Sequence, residues 1–264
     1  MPLNARALHA GSIICAIMAG FLAAGLAHGQ SAATPTTGPA SATAMPAQTS
    51  NNLNARDRQL LVDFGGLMHF KDADAQLAPP AQGETRVVFM GDSITQGWKL
   101  DESFPGKNYI NRGISGQTTP QMLVRYRQDV IDLKPKVVVL LAGTNDIAGN
   151  TGPMTLEQTE GNIASMAELA TANNIRVVLC SITPAFDYSW APGLTPAPKI
   201  VALNAWIKDY ATRKGFVYVD FHTAMKDERD GLPATLSKDG VHPLPAGYAV
   251  MAPLAQAGIE KALK

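Results

Sequence analysis

Val87-Val88-Phe89-Met90-Gly91-Asp92-Ser93-Ile94-Thr95-Gln96-Gly97 is the stretch on which the fold turns. Val87 to Met90 is a short apolar run with β-branched and aromatic side chains, as expected of a strand covered on both faces. Gly91 interrupts it, lacking the Cβ that would oppose a sharp turn, and Asp92 and Ser93 follow at once. A serine at the carboxyl end of an inner strand, opening a helix, stands where open α/β sheets hold their ligands. Its backbone N–H then points out of a helix start, toward developing negative charge. The same position suits a plain helix cap, which serines often form, and this stretch alone does not choose between the two.

Working outward, the pattern of strand, polar turn and helix repeats. Asn108–Asn111 is a short candidate strand leading into Arg112-Gly113-Ile114-Ser115-Gly116-Gln117-Thr118-Thr119-Pro120. There Gly113 permits a turn, Thr119 is the expected N-cap and Pro120 the first helical residue. Val137–Ala142 is a continuous apolar strand suited to the sheet centre, followed directly by Gly143-Thr144-Asn145-Asp146. Thr155–Asn173 reads as a helix, Ile175–Cys180 as a strand, Pro198–Lys214 as a helix stopped by Gly215, and Phe216–Asp220 as the last strand. Pro245–Lys264 closes the chain as a helix that Pro253 should split or kink. Before the first strand, Asn54–Phe70 has Leu60, Leu61, Phe64, Leu67 and Met68 at helical spacing, weakened by Gly65-Gly66, and is expected to pack outside the sheet. Five strands alternating with helices make a parallel α/β sandwich with right-handed crossovers. The polar clusters at Ser93, Gly116 and Asn145 each follow a strand and so converge on one sheet edge.

The ends and the composition set bounds. Residues 1–29 have Arg6 as their sole formal charge, an apolar run from Ser12 to Ala24, and small residues at Gly25, Ala27 and Gly29. They are expected to be a signal peptide cleaved after Ala27 or Gly29, its apolar run being short of the ~20 residues that span a bilayer. Residues 30–54, rich in Ala, Thr, Pro, Ser and Gln without a charge, read as a flexible linker. Residues 55–264 remain as one α/β domain. No later segment has the length and apolarity of a membrane span, so the exported chain should be soluble, in a periplasm or outside the cell. Twenty-two basic residues balance 22 acidic ones, which argues against a nucleic-acid surface or a polybasic membrane patch. Cys180 alone survives removal of the leader, excluding an internal disulfide, and it is expected to be buried and inert.

Asp239-Gly240-Val241-His242-Pro243 supplies what a nucleophilic serine lacks. A neutral imidazole is a suitable base near pH 7, and a carboxylate three residues away across a turn can fix its tautomer. With these residues the sequence resembles the GDSL, or SGNH, hydrolase family, whose four blocks occur in order: Gly91-Asp92-Ser93-Ile94, the glycine block at Gly116, Gly143-Thr144-Asn145-Asp146, and Asp239-Gly240-Val241-His242-Pro243. The resemblance runs from about Thr85 to the C-terminus. It implies a flavodoxin-like three-layer α/β/α sandwich with a five-stranded parallel sheet, and ester hydrolysis without metal or cofactor. By motif, Ser93 is the nucleophile, His242 the base and Asp239 its orienting carboxylate. The oxyanion hole comprises the N–H groups of Ser93 and Gly116 and the Asn145 amide. The Gly-x-Ser-x-Gly elbow of α/β-hydrolases is absent.

Other residues have simpler expectations. Asp92 should organise the turn or cap its helix, Asp146 should bond to loop backbone, and His222 is taken as structural. His69 is read as a surface or capping residue. Trp98, Tyr188 and Trp190 are candidates to line a substrate pocket, with core packing as the competing role. Short-chain esters are the expected substrates, especially O-acetyl groups on carbohydrate. The family resemblance also admits lysophospholipase or thioesterase activity. From a different class, a non-catalytic flavodoxin-like binding protein would use the hydroxyl-rich Ser93–Gly97 loop for phosphate, but it leaves the Asp239–His242 block without a purpose.

Overall fold

The computed structural model describes residues 53–264. Five parallel strands form one sheet in the order β2-β1-β3-β4-β5: β1 (Val87–Gly91), β2 (Tyr109–Gly113), β3 (Val137–Leu141), β4 (Arg176–Cys180) and β5 (Val217–Val219). Every residue of β1 and β3 is buried, as their unbroken apolar composition demands when helices cover both faces. Val87 pairs with Tyr109 on one side and Val137 on the other, and the in-register ladder carries Gly91 opposite Gly113 and Leu141.

Alternate strand residues feed two cores. Val88, Met90, Val138, Leu140, Val177 and Leu179 face one side, packed by α5 (Thr119–Tyr126), α7 (Leu156–Ala172) and α8 (Pro196–Lys214). Val87, Phe89, Val137, Val139, Val178 and Cys180 face the other, packed by α4 (Leu100–Ser103), α9 (Phe221–Met225) and above all α10 (Pro245–Leu263). The result is the three-layer α/β/α sandwich with five parallel strands that the sequence predicts. Cys180 is free and buried, and burial pushes its thiol up. The strand order reverses between β1 and β3, and a doubly wound sheet opens its ligand crevice at the carboxyl ends flanking such a reversal. Ser93 follows β1 and Asn145 follows β3, so the topology itself selects their edge of the sheet.

Several local expectations are corrected. Asn54–Phe70 is not one helix: α1 (Ala55–Val62) ends at Asp63, a turn follows, and α2 (Lys71–Gln76) begins separately. The Asp63 carboxylate accepts from the N–H groups of Leu67 and Met68, holding a turn where continuous helix was expected. Leu61 and Met68 are exposed rather than packed on the sheet. β2 extends to Gly113, so that glycine serves close packing rather than a turn. A Cβ there would lie 2.2 Å from the Gln96 nitrogen and 2.7 Å from the Asp92 oxygen. Thr118, not Thr119, is the N-cap of α5, its N–H donating to the Gln121 side chain at 3.0 Å. The helix then finishes in a π-helical turn, Arg127–Ile131. α8 starts at Pro196, two residues early, and α10 continues through Pro253 as one helix. The expected signal peptide, residues 1–29, lies outside the described residues, as does all of the 30–54 linker but its last two residues. Among the described residues no helix is long and apolar enough to cross a membrane.

Candidate active site

Ser93 opens the short helix α3 (Ser93–Gln96), and the cap belongs to its neighbour: Asp92 Oδ1 accepts from the Ile94 N–H at 2.9 Å. The Ser93 hydroxyl is therefore not spent on capping. It lies 2.9 Å from His242 Nε2 although 149 residues separate the two in the chain. His242 Nδ1 lies 2.6 Å from Asp239 Oδ2. An ionised carboxylate can only accept, so Nδ1 carries the ring proton and Nε2 presents its lone pair to the serine O–H.

The Asp239 turn is built to hold that carboxylate. Its Oδ1 accepts from the N–H groups of Val241 and His242 at 3.0 and 2.8 Å and from Ser237 Oγ at 3.0 Å. Partial burial opposes ionisation of Asp239, but hydrogen bonds from the His242 ring, the His242 and Val241 N–H groups and Ser237 outweigh it. The carboxyl is held well below the usual range. Val241 is buried and anchors the turn, while Gly240 takes the left-handed φ of 79° that closes it.

Gly116 and Asn145 approach from the adjoining loops. Gly116 has a φ of 76°, and the Ser115 N–H donates to Gln96 Oε1 at 2.8 Å, tying this loop to the helix that carries Ser93. Asn145 is buried in the short helix α6 (Thr144–Ile147), its Nδ2 donating to Gln117 O at 3.0 Å and contacting Asp92 Oδ2 at 3.3 Å. Burial raises the Asp92 carboxyl to about 6, against the lowering effect of the hydrogen bond from the Ile94 N–H. Asp146 is buried, and burial raises its pKa against the hydrogen bonds it receives. It accepts from the Thr119 N–H and hydroxyl, so it supports the start of α5.

The three aromatic candidates part company. Trp98 is only 2% exposed, stacked with Tyr248 and edge-on to Phe89, so it is core and not pocket. Its indole N–H is occupied by Ser103 at 3.0 Å. Tyr188 is fully buried and presents no surface to a substrate; its ring stacks beneath Trp190 at 4.8 Å. Trp190 is 41% exposed with its ring 6.1 Å from that of His242, so it does border the site. His222, also buried, donates its backbone N–H to Ser181 Oγ at 2.8 Å. A cleft of about 480 Å³ adjoins Ser115 and Gly116, walled by Phe64, Met68 and His69; Ser93 and His242 are not among its walls.

Residues that the sequence did not single out tie these loops together. Arg125 is fully buried and donates to Gln117 Oε1 at 2.6 Å, to Asp129 at 2.8 Å and to Gly91 O at 3.1 Å. Tyr248 reaches from α10 to Ile94 O at 2.8 Å. Asn150 bonds to Asn145, Gly116 and Trp190. None belongs to a motif, and none carried a local signal in the sequence.

The GDSL-like Lipase/Acylhydrolase family model matches residues 89–250, spanning Ser93, Gly116, Asn145, Asp239 and His242. The chain belongs to this family. GDSL-like hydrolases of known structure share its fold: a GDSL-like lipase from Bacteroides thetaiotaomicron is 46% identical with a TM-score of 0.73, the match covering 75% of this chain and 99% of the other. Among curated relatives, an acetylxylan esterase from Xylanibacter ruminicola is 26% identical over 76% of this chain and 47% of its own length. Esterase TesA from Pseudomonas aeruginosa is 28% identical over 63% of this chain and 83% of its own. The chain thus spans about half the length of that acetylxylan esterase. Among the described residues, no group of three or more His, Cys, Asp or Glu side chains is arranged to hold a metal ion.

Proposed function

We propose that this GDSL-family chain is an exported serine esterase that removes short acyl groups, O-acetyl substituents on carbohydrate in particular. The observation that carries the reading is the continuous hydrogen-bond chain Ser93–His242–Asp239, at 2.9 and 2.6 Å. Ser93 Oγ attacks the ester carbonyl as its proton passes to His242 Nε2. The oxyanion that forms is met by the N–H groups of Ser93 and Gly116 and by the Asn145 amide, whose longer 3.3 Å contact with Asp92 is the one a substrate oxygen replaces. Collapse breaks the C–O bond, and His242 returns the proton to the leaving alkoxide. Water then hydrolyses the acyl-enzyme by the same base. Asp239, kept ionised by its donors, stabilises the imidazolium in both halves.

The alcohol part of the ester must lie on the His242 side, where the proton is returned, and Trp190 offers an exposed aromatic face there. That arrangement and the acetylxylan esterase relatives support a sugar ester. A second reading, a longer acyl chain as in a lysophospholipase or thioesterase, draws on the cleft at Gly116, whose walls include Phe64 and Met68. Hydrolysis of aryl esters from acetyl to dodecanoyl, wild type beside Ser93→Ala, separates the two. Activity that falls with chain length and vanishes in Ser93→Ala supports the acetylesterase; a maximum at long chains transfers the proposal to lipids. Turnover retained by Ser93→Ala removes the nucleophile assignment.

A further inference from the structure

Asn150 joins the aromatic face at Trp190 to the loops that carry Asn145 and Gly116. Its backbone N–H donates to Asn145 O at 3.0 Å, wrapping the chain back over the end of α6. Its side-chain Oδ1 accepts from Trp190 Nε1 at 3.2 Å. Its Nδ2 donates to Asn145 Oδ1 at 2.7 Å and to Gly116 O at 3.2 Å.

The chemistry of the partners makes this orientation the one that works. An indole N–H can only donate and a peptide carbonyl can only accept, so the Asn150 amide must turn its oxygen to Trp190 and its nitrogen to Gly116. That nitrogen in turn requires the oxygen of Asn145 to face it. The Asn145 nitrogen is thereby directed to the other side, toward Gln117 O and Asp92 Oδ2. A flipped Asn145 would oppose its NH₂ to that of Asn150 and its carbonyl to that of Gln117. The bond to Gly116 O also holds the Ser115–Gly116–Gln117 backbone from the carbonyl side. We propose that Asn150 is the positioning residue of the oxyanion hole, and that Trp190 acts through it, so that the aromatic face and the oxyanion donors are one coupled unit.

The inference rests on the esterase reading, and its test keeps the two apart. Asn150→Asp preserves shape but replaces the donor with an acceptor, and Asn150→Ala removes the amide. Trp190→Phe keeps an aromatic ring and loses only the N–H. Steady-state hydrolysis of an aryl acetate should show kcat lowered about a hundredfold in Asn150→Asp with KM little changed, the pattern of a lost oxyanion donor. Trp190→Phe should lower kcat about three- to tenfold, the worth of one neutral hydrogen bond. The Trp190→Phe/Asn150→Ala double variant should be no slower than Asn150→Ala alone, because the first change acts through the second residue. A kcat near wild type in Asn150→Asp, or losses that multiply in the double variant, overturns the coupling. Trp190 is half-exposed, so its substitution reports even if an Asn150 variant does not fold. Ser93→Ala in the same assay guards the premise: if it still turns over, the esterase site is misassigned, whereas its silence beside an undisturbed Asn150→Asp refutes the positioning role alone.

Discussion

Asp239 and Asp92 are two carboxylates in one site that environment drives in opposite directions. Asp239 accepts four hydrogen bonds and is held low, so it contributes stability above the ordinary aspartate range that is lost as pH falls below it. Asp239→Asn would place an amide nitrogen or a weakened acceptor against His242 Nδ1 and favour the wrong tautomer. Its kcat should fall on the order of 10³- to 10⁴-fold with the fold intact; an activity within tenfold of wild type would argue that Asp239 does not orient the base. Asp92 is raised to about 6 by burial, so the folded protein favours its protonated form. The stability this gives is full below about pH 4 and is lost as pH rises through 6, up to ~3 kcal/mol for a shift of this size. Urea unfolding at pH 4 to 7 should therefore show wild type weakening relative to Asp92→Asn across that interval. A constant difference between the two proteins would mean that Asp92 does not titrate there.

At the scale of elements, the candidate site depends on how closely β2 can approach the start of α3. Gly113 is the point of contact, with no room for a Cβ beside Gln96 N and Asp92 O. Gly113→Ala must push α3 outward or bend the end of β2, and overpacking of this kind costs about 1–3 kcal/mol. Because α3 carries Ser93, kcat should fall together with the urea midpoint; a variant with unchanged midpoint and kcat would show that the strand and helix can part without consequence. The short helices α3 and α6 illustrate why local pattern was insufficient. Four residues complete barely one turn, too few for a 3.6-residue period to register, so α3 was legible only from the turn that begins it and α6 was not anticipated.

Across the whole molecule, the buried Arg125 cation joins the end of β1 and the loop after β2 to α5. Arg125 reaches Gly91 O, Gln117 and Asp129 with no exposed surface, and Asp129 shares its burial. Arg125→Met would leave the Asp129 carboxylate uncompensated and Gly91 O without this donor, a loss of about 3–5 kcal/mol for breaking a buried pair from one side. Chemical denaturation measures this directly. A double variant, Arg125→Met/Asp129→Leu, should recover stability but not kcat, since the tie between Gly91 and Gln117 stays broken. Full recovery of both would reduce Arg125 to a structural ion pair.

The alternation of apolar runs and helical segments determined the five-stranded parallel sandwich, because period and burial are properties a linear chain carries. The ordered blocks at Ser93, Gly116, Asn145 and Asp239–His242 likewise named the residues that the fold brings to one edge. Only the tertiary structure decided which aromatic ring meets the site. Trp98, Tyr188 and Trp190 are alike in sequence, yet two are swallowed by cores whose walls come from Phe89, Tyr248 and other distant residues. It alone also brought out Asn150 and Arg125, whose roles consist of hydrogen bonds to chain segments up to 40 residues away and have no local signature. A residue's type limits what it can bond to; which partner stands within 3 Å is a property of the folded chain.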